Sequence, residues 1–555
     1  MDQIKATDTV TTRLQHWSVT NPDTPAFIYA KPGGTRHVYT REQVYSLSRR
    51  AASWLRGKGV SRGDVVLCLV PSSPEQLFIV FGCSLLGAPV LVIPIILSDG
   101  RDIVVMMNLG NVNTIVLDAE DETSISILKK HIPGLAEGKV TSDVIPSLSN
   151  VVFCNKDAWN SRTSFLEALA DENEAAKVDC KPDDVLVFLP TSGSTGVGKL
   201  VARTHREALV IGLQSAKAFG VEPGDVVYNP GSFGWVSGYP GHYLVLGITR
   251  LLPLKTPTEP PPEDPTKHLW DLLCQEKPTS GFLKGAEFEA LLGRPDLINQ
   301  KGAWRARVLG TGSHPIRKSV AEAIGRLTSE LRVVYGSTEA GFNSFKSYRE
   351  ASQAKDFNCG KAFLGQEVKV VDSDLREVPT ATKGQLLIRN DIIMSGYLKQ
   401  PDETAKVKVD GGWLKPGDIA SMDENGDVFV YGRESDIIMI RGLFLYPQLL
   451  EAEFSNLPGI AEVAIVATPD EQYVNRPCLC VVRDKNAKMA PLSAADILTR
   501  CADSFNKVLM AGSAELQGAV PKYCLFFEAL PLNRNGKLQR KILREQVLQR
   551  LGITD

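Results

Sequence analysis

An apolar segment that runs into a glycine-rich loop is the feature that most narrows the folds open to this chain. Residues 185–189 are apolar, and residues 189–199 read LPTSGSTGVGK. Glycine lets a backbone turn its N–H groups inward, hydroxyl side chains add donors, and lysine adds a positive charge. The run therefore predicts a phosphate-binding loop after a strand, and it indicates that the chain handles a nucleotide.

The same run also comes close to a second kind of phosphate loop. Gly193, Gly198 and Lys199 have the G-x-x-x-x-G-K spacing of a Walker loop, but Leu200 stands where Ser or Thr would hold magnesium. A Walker-type kinase or ATPase therefore stays open as an alternative. A polar turn without any ligand stays open as well.

Composition sets the broad class of the protein. The 555 residues suffice for two to four domains, and 43% apolar with 23% charged residues is typical of a globular protein. A net charge of −2 gives no reason to expect nucleic acid as a partner. The ten cysteines show neither C-x-x-C spacing nor a cluster with histidine, so we expect reduced thiols and a cytoplasmic setting.

One stretch is long enough to raise the question of a membrane span. Residues 77–97 carry no charge, but Gly87, Pro89 and Pro94 divide them into a helix-length and a strand-length piece. We expect a buried helix followed by a buried parallel strand, and no membrane span. The first 17 residues lack the apolar core of a signal peptide, and LGITD is neither a peroxisomal nor a prenylation motif.

Helix and strand patterns alternate through the first half of the chain. Thr40 with Gln43 forms a capping box, Pro74 opens a helix after the strand at residues 64–70, and Thr204 caps a helix that reaches about Phe219. This order predicts an α/β fold with a large N-terminal body of helix-covered, mostly parallel sheets. Beyond Gly365 short strands and turns predict a β-subdomain.

A short polar segment, Glu-Ser-Asp at residues 434–436, marks a predicted domain boundary. We predict an N-terminal domain at residues 1–433, a hinge at residues 434–436 and a small α+β domain at residues 437–555.

Three further motifs carry residues suited to nucleotide chemistry. Tyr335-Gly-Ser-Thr-Glu339 follows an apolar strand, where a Thr and a Glu suit a phosphate and its magnesium. Asp418, after a glycine turn, is expected to be an exposed carboxylate able to accept both hydroxyls of a ribose. Residues 531–537, PLNRNGK, form a second Gly-Lys loop. Taken singly, these residues read equally well as a helix-start acid, a turn residue and a solvated charge.

In combination the motifs resemble the adenylate-forming superfamily, which includes acyl-CoA synthetases, firefly luciferases and the adenylation domains of peptide synthetases. The resemblance extends from about residue 21 to residue 551. It rests on TSGSTGVGKL, on Tyr335 to Glu339, and on four further sets, which are Gly396, Tyr397, Pro401 and Thr404; Gly417 and Asp418; Gly432, Arg433 and Asp436; and Gly536, Lys537 and Arg540.

The resemblance implies a two-step reaction and assigns residues to it. In such enzymes a carboxylate attacks the α-phosphate of MgATP, pyrophosphate leaves, and a thiol then takes the acyl group as AMP leaves. Lys537, Thr338 and Glu339 would be catalytic, with Glu339 also binding Mg²⁺. The residues that would bind ATP and AMP are Thr191, Ser192, Gly193, Ser194, Thr195, Gly196, Lys199, Gly312, Ser313, His314, Tyr335, Gly336, Ser337, Asp418 and Arg433.

The remaining assignments concern the acid and the thiol. Phe233, Trp235, Gly238 and Gly310 would line the acid pocket, although both aromatic residues read equally well as core residues. Ser435 would be the hinge, and Arg441 and Gly442 would border the thiol tunnel. Residues 231–238 contain no carboxylate, which disfavours an amino-acid substrate.

The sequence therefore predicts an ATP-dependent ligase that joins an aliphatic or aryl acid to coenzyme A, with a place in fatty acid metabolism. The run R-G-x-x-x-Y-P-Q also looks like fatty acyl-AMP ligases, so the phosphopantetheine of an acyl-carrier protein is the alternative acceptor. Gly198, Leu200, Pro416, Ser435 and Met439 depart from the family pattern. Gly198 leads us to expect looser ATP binding, and Gly198 with Leu200 keeps open a pseudo-synthetase that binds nucleotide or acyl groups without turnover. We expect a monomer or a homodimer.

Overall fold

The chain divides into two compact units. The computed structural model describes residues 4–93, 100–135, 140, 142–154, 179–191, 198–254, 259–312, 318–363, 365–440, 443–454, 457, 459–484, 492–508, 520–532 and 537–553. The first unit comprises residues 1–368 and 387–416, and the second comprises residues 369–386 and 417–555. The hinge predicted at residues 434–436 lies inside the second unit and stays a prediction.

Helices alternate with strands through most of the first unit, and the described residues of the second unit also form helices. In chain order they are α1 (Val10–Val19), α2 (Arg41–Gly57), α3 (Pro74–Leu86), α4 (Arg101–Gly110), α5 (Glu122–Lys129), α6 (His205–Phe219), α7 (Gly241–Leu246), α8 (Pro265–Glu276), α9 (Gly285–Leu292), α10 (Pro295–Ile298), α11 (Pro401–Ala405), α12 (Pro447–Phe454), α13 (Ala494–Val508) and α14 (Arg540–Leu551). Short 3₁₀ turns occupy Lys318–Ala323, Ala351–Gln353 and Glu434–Asp436.

The strands of the described residues are, in chain order, β1 (Pro25–Ala30), β2 (Arg36–Thr40), β3 (Val66–Leu69), β4 (Val90–Val92), β5 (Thr114–Asp118), β6 (Asn150–Cys154), β7 (Val185–Thr191), β8 (Lys199–Thr204), β9 (Val226–Tyr228), β10 (Thr249–Pro253), β11 (Ser280–Phe282), β12 (Ala306–Gly312), β13 (Thr328–Ser337), β14 (Gly341–Tyr348), β15 (Lys361–Ala362), β16 (Glu367–Val371), β17 (Gly384–Arg389), β18 (Lys408–Val409), β19 (Trp413–Leu414), β20 (Asp418–Met422), β21 (Val428–Arg433), β22 (Ile438–Ile440), β23 (Leu443–Leu445), β24 (Ile460–Asp470), β25 (Val474–Arg483) and β26 (Tyr523–Phe527).

Local capping signals in the sequence fix where several helices begin. Thr40 and Thr204 each cap a helix through a complete capping box, so the predicted starts of α2 and α6 are confirmed. Pro74 occupies the first turn of α3, where the missing N–H costs nothing. Within the uncharged stretch, residues 77–86 belong to α3 and residues 90–92 form β4, as predicted, and residues 94–97 lie outside the described residues. Across the described residues, no helix is long and apolar enough to cross a membrane.

Two sheets with helices packed on them form the first unit. One has the strand order β6-β5-β3-β4-β7-β8 and is parallel except for the β7–β8 pair. The other has the order β15-β14-β13-β12-β11-β9-β10-β1-β2 and is parallel from β1 to β13. The largest core draws side chains from both sheets and from α2, α3 and α6. The predicted body of helix-covered, mostly parallel sheets is therefore confirmed.

The described part of the second unit contains antiparallel strand pairs and a mixed sheet. β20 and β21 form an antiparallel pair, and the intervening Asp423–Gly426 turn closes with a 2.9 Å hydrogen bond from the Gly426 N–H to the Asp423 carbonyl. β24, β25 and β26 form a mixed sheet, in which β24 is antiparallel to β25 and β26 is parallel to it. The strands predicted at EVKVVD, GQLLIRN and GDVFVYGR correspond to β16, β17 and β21.

A buried arginine at the start of α14 joins several parts of the second unit. The Arg540 guanidinium donates to both carboxylate oxygens of Glu451, at 2.6 and 2.7 Å. It also donates to the Ile465 carbonyl at 2.7 Å and to Asp436 at 3.2 Å. The Arg540 and Glu451 side chains are only 14% and 13% exposed, so each compensates the buried charge of the other. This residue of the Gly-Lys-x-x-Arg motif therefore supports the fold around Lys537.

We expect Arg540→Met to lower the free energy of unfolding of the second unit by about 3 kcal/mol, because Glu451 would keep a buried charge without its main partner. Urea denaturation of the full chain, followed by far-UV circular dichroism, measures the effect. Lys541→Met is the control, since Lys541 is an exposed cation on the same helix. The double change Arg540→Met with Glu451→Leu should recover most of the loss. Equal stability of Arg540→Met and the control would contradict this account.

Candidate active site

The two flanks of the glycine-rich run lie side by side. Thr191 ends β7, Lys199 begins β8, and the two residues face each other across the antiparallel pair. Ser192, Gly193, Ser194, Thr195 and Gly196, which we predicted to surround phosphates, lie outside the described residues. Leu200, which departs from the family pattern, is fully buried in an apolar cluster. Its apolar side chain is therefore explained by packing at the start of β8.

The predicted phosphate-binding lysine is already engaged by a carboxylate. Lys199 Nζ lies 2.6 Å from Glu403 Oε2, and the lysine side chain is only 9% exposed. The same Nζ lies 4.8 Å from the centre of the Tyr397 ring. Hydrogen bonds from Lys199, and then from Lys406, lower the pKa of Glu403 to about 2. At neutral pH Glu403 is therefore an anion bound where a phosphate oxygen would have to approach Lys199.

We expect Glu403→Gln to lower the KM for ATP by about fivefold, because the neutral amide would no longer compete with a phosphate oxygen for Lys199. Initial rates at varied ATP measure the change. Asp402→Asn is the matched control, because Asp402 is an exposed carboxylate on the same short helix. A higher KM for Glu403→Gln would contradict competition, and would mean that Glu403 orients Lys199 toward the nucleotide.

The Tyr335–Glu339 motif lies where β13 ends and the chain turns toward β14. Arg203 donates from Nη2 to the Thr338 carbonyl and from Nη1 to the Ile392 carbonyl, both at 2.6 Å. The Tyr397 hydroxyl donates to Glu339 Oε1 at 2.9 Å. Two residues that sequence reasoning had given no role thus hold the backbone of Thr338 and the carboxylate of Glu339.

Glu339 and its surroundings suit magnesium. The Glu339 carboxylate and the hydroxyl of the preceding residue, Thr338, are both hard oxygen donors, and Mg²⁺ commonly takes one or two carboxylates together with substrate phosphates. Among the described residues there is no group of three or more His, Cys, Asp or Glu arranged for a metal. A single carboxylate such as Glu339 fits an ion that takes its other ligands from phosphates and water.

The residues predicted near adenine come from neighbouring parallel strands. Gly312 ends β12 opposite Val334 of β13, and Tyr335, Gly336 and Ser337 follow on β13. A Cβ on Gly312 would lie 2.4 Å from the Val334 carbonyl oxygen, so only glycine fits there. Ser313 and His314 lie outside the described residues. The structure thus brings Gly312 next to the Tyr335 segment, and the adenine contacts stay a prediction.

The residues predicted to line an acid pocket have mixed environments. Phe233 is fully buried in the main core, with the Arg250 guanidinium 4.9 Å from its ring centre. Trp235 is half-buried, and Lys284 Nζ lies 5.9 Å from its ring centre. A Cβ on Gly310 would lie 2.2 Å from the Phe219 ring. Gly238 is equally crowded, since a Cβ there would meet the Ser232 carbonyl at 1.9 Å.

The Asp418 side chain is less exposed to solvent than we expected from the sequence. Its side chain is only 10% exposed, because Arg433 lies opposite it across the β20–β21 pair with Nε 3.2 Å from Asp418 Oδ1. The expectation of an exposed carboxylate was wrong, since a cross-strand ion pair covers most of it. The two predicted ribose-binding residues are nevertheless direct neighbours.

The last predicted residues belong to the second unit. Ser435 lies in the Glu434–Asp436 turn, next to Asp436, which accepts from Arg540 and Gln448. Lys537 is half-buried and precedes Leu538, which forms a β-bridge with Leu532. Arg441 and Gly442 lie outside the described residues. The roles of all four as hinge, catalytic lysine and tunnel stay predictions.

Comparison with known proteins gives the class of this chain. The family described as AMP-binding enzyme matches residues 14–398, and the family described as AMP-binding enzyme C-terminal domain matches residues 449–537. The chain therefore belongs to the AMP-binding enzymes, as the motifs predicted. This membership is consistent with an AMP-forming acid–CoA ligase, the activity for which the relatives compared below are named.

Individual relatives show the range within that class. The chain is 27% identical over 528 residues to a 4-coumarate–CoA ligase 2 of Solanum tuberosum, covering 93% of this chain and 90% of the relative. It is 26% identical over 519 residues to the long-chain-fatty-acid–CoA ligase FadD13 of Mycobacterium tuberculosis, covering 91% and 93%. The crystal structure of the anthranilate CoA ligase AuaEII with anthranoyl-AMP shares the fold, with a TM-score of 0.80, 19% identity and 99% coverage of both chains.

Proposed function

We propose that this chain activates a carboxylic acid with MgATP and then transfers the acyl group to coenzyme A. The observation that carries the proposal is the convergence of Lys199, Thr338 and Glu339 through contacts of Arg203 and Tyr397. Tyr397 contacts both the Lys199 cation and the Glu339 carboxylate, and Thr338 directly precedes Glu339 in the chain. Residues of these types suit the phosphates of a nucleotide and the ion that accompanies them. Membership in the AMP-binding enzymes supports a split of ATP between its α- and β-phosphates.

In the first step an oxygen of the acid attacks the α-phosphorus, and the bond from that phosphorus to the bridging oxygen breaks, so that pyrophosphate leaves. When bound, Mg²⁺ neutralises phosphate charge during this displacement. Thr338 would contact the α-phosphate, and Lys199 would exchange Glu403 for the outer phosphates. Lys537 would bridge the acid and the α-phosphate, where a cation stabilises the charge that gathers in the transition state.

In the second step the sulfur of a thiol attacks the acyl carbonyl carbon, the thiol proton is lost, and AMP leaves. Movement about Ser435 would withdraw Lys537 and present the Arg441-Gly442 segment to the thiol. Coenzyme A is the proposed acceptor because the two curated relatives compared above are both named as CoA ligases. The R-G-x-x-x-Y-P-Q run favours a carrier-protein phosphopantetheine as the second candidate.

The acid is proposed to be aliphatic or aryl. The names of the two relatives refer to a phenolic acid and to a long-chain fatty acid. Together these names limit the substrate class no further than to organic acids. The 231–238 segment, which carries no carboxylate to pair with an amino group, argues against an amino acid.

Acid-dependent exchange of labelled pyrophosphate into ATP tests the first step, with a panel of short aliphatic, long aliphatic and aryl acids. Thioester formation with coenzyme A, or with a phosphopantetheinylated carrier protein, tests the second step. We expect exchange with at least one acid and thioester formation with coenzyme A. Absence of exchange with every acid would overturn the proposed function, and thioester formation with the carrier protein alone would replace the proposed acceptor.

A further inference from the structure

In the second unit, Glu434 is held by the strands that precede the Glu-Ser-Asp segment. Gln385, in β17, donates from Nε2 to Glu434 Oε1 at 2.7 Å. The Glu434 N–H donates to the carbonyl of Gly417, just before β20, at 2.9 Å. The chain up to Glu434 therefore belongs to the same body as β17, β20 and β21.

Asp436, two residues later, is held by elements from the last part of the chain. It accepts from Gln448 Nε2 on α12 at 3.1 Å, and from Arg540 Nε at the start of α14 at 3.2 Å. Ser435, between the two anchored acidic residues, is exposed. If the chain turns in this segment, Ser435 is the residue whose backbone can rotate without breaking either set of contacts.

A group of one cation and two aromatic rings crosses this point. Lys383 Nζ lies 4.7 Å from the centre of the Tyr431 ring and 4.2 Å from the centre of the Tyr446 ring. The two ring centres are 6.2 Å apart. Tyr431 precedes Ser435 in the chain and Tyr446 follows it, so these three side chains join the two anchored sides.

Two of the three side chains are fixed to the same sheet. Lys383 directly precedes β17, which pairs with β20. Tyr431 lies in β21, which also pairs with β20, and its hydroxyl is 2.9 Å from the hydroxyl of Ser421 in β20. Lys383 and Tyr431 therefore stay together when the chain turns at Ser435, and Tyr446 is the residue that moves relative to them.

Backbone packing beside this group brings the two sides close together. A Cβ on Gly432 would lie 2.6 Å from the Gln448 side chain, so β21 and α12 approach each other closely there. Tyr446 directly precedes α12. This approach of β21 and α12 places the Tyr446 ring within reach of Lys383.

We propose that Lys383, Tyr431 and Tyr446 form a latch that holds one of the two arrangements of the chain about Ser435, and that Lys383 is thereby a positioning residue for one half-reaction. The inference rests on the proposed function, in which movement about Ser435 follows adenylate formation. A cation is attracted to the face of each neighbouring aromatic ring, and the attraction is lost when a ring moves away. The latch therefore favours the arrangement in which Tyr446 meets Lys383.

The single-turnover rates of the two half-reactions test the latch in the full chain. Lys383→Met removes the cation and keeps much of the length of the side chain. We expect it to change the ratio of the rate of adenylate formation to the rate of thioester formation from supplied acyl-AMP by about fivefold, because it destabilises only one arrangement. Lys383→Arg, which keeps a cation, should leave the ratio within about twofold of the unchanged protein.

A double-mutant cycle shows whether the cation acts through the moving ring. Tyr446→Leu should change the ratio in the same direction as Lys383→Met. The double variant should lie within about twofold of either single variant, since each change removes the same contact. Tyr446→Phe keeps the ring, and Lys541→Met removes an exposed cation elsewhere in the same unit, so both are controls that should leave the ratio unchanged.

Hydrogen exchange of the chain without substrates gives a second readout. Peptides that span residues 430–437 should exchange about threefold or more faster in Lys383→Met than in the unchanged protein, because the segment opens more often without the latch. Peptides from β24 and β25 should exchange at the same rate in both proteins. Faster exchange in all of these peptides would indicate a general loss of structure and contradict a latch.

The outcomes separate this inference from the proposed function. An unchanged ratio in Lys383→Met, equal slowing of both half-reactions, or effects that multiply in the double variant would overturn the inference and leave the proposed function intact. Unchanged hydrogen exchange at residues 430–437 would overturn it as well. If no acid forms an adenylate, the proposed function fails and the inference fails with it.

Discussion

Lys537→Ala is expected to slow acyl-adenylate formation by about 10²- to 10³-fold while thioester formation from supplied acyl-AMP stays within about threefold of the unchanged protein. The two steps differ in when negative charge develops at the α-phosphate. Negative charge gathers between the acid and the α-phosphate only in the first step, so a cation that stabilises it there is not needed once the adenylate exists. Single-turnover assays of the two half-reactions, with chemically prepared acyl-AMP for the second, measure both rates.

Lys541→Ala is the control for the loss of a positive charge in this region, because Lys541 is exposed on α14 only a few residues away. It should leave both half-reactions unchanged. Circular dichroism and the urea midpoint show whether either variant has lost structure. Equal loss of both half-reactions in a folded Lys537→Ala protein would mean that Lys537 is not the lysine of the adenylation step.

Glu339→Gln is expected to raise the Mg²⁺ concentration for half-maximal exchange by about tenfold or more, because the amide keeps the shape of the side chain but loses the charge that attracts the ion. Tyr397→Phe should produce a smaller shift in the same direction, since it removes only the 2.9 Å hydrogen bond to Glu339 Oε1. A magnesium titration of pyrophosphate exchange at saturating ATP and acid measures both.

Glu350→Gln serves as the control for Glu339→Gln, because Glu350 is an exposed carboxylate in the same unit. Its magnesium dependence should match that of the unchanged protein. An unchanged magnesium dependence in Glu339→Gln, with the exchange rate also preserved, would contradict the assignment of this carboxylate to the metal.

The parts of the fold that the sequence predicted depend on contacts between residues close in the chain. Thr40 and Gln43 cap each other three residues apart, and Thr204 and Glu207 do the same at the start of α6. The end of α3 within the uncharged stretch also depends on a single residue. Gly87 ends this helix in a left-handed conformation with φ of 66°. Such signals are visible in a few consecutive residues.

The contacts that support the candidate site are of another kind. Arg203 reaches Thr338 over 135 residues and Ile392 over 189 residues, and Tyr397 reaches Glu339 over 58 residues. The local signs of this arrangement were Arg203, a charged residue inside the KLVART strand, and Tyr397, a residue of the Gly396–Thr404 motif. Sequence patterns do not specify which distant backbone carbonyl a buried guanidinium will meet, so these partners became visible only with the fold.

Asp418 shows how a pairing partner changes an expectation based on local sequence. A carboxylate after a glycine turn is commonly exposed, but β21 returns antiparallel to β20 and places Arg433 directly opposite. The ion pair leaves Asp418 only 10% exposed. A ribose hydroxyl would therefore meet a carboxylate that is already held in place by its neighbour.

The site of ATP cleavage is the most direct test of the whole account. The full chain is incubated with ATP carrying ³²P at the α-position, Mg²⁺, the preferred acid and coenzyme A, and the labelled nucleotides are then separated. The account predicts labelled AMP in an amount equal to the acyl thioester formed, with no labelled ADP. Labelled ADP as the acid-dependent product would contradict it, because ATP would then have been split between its β- and γ-phosphates.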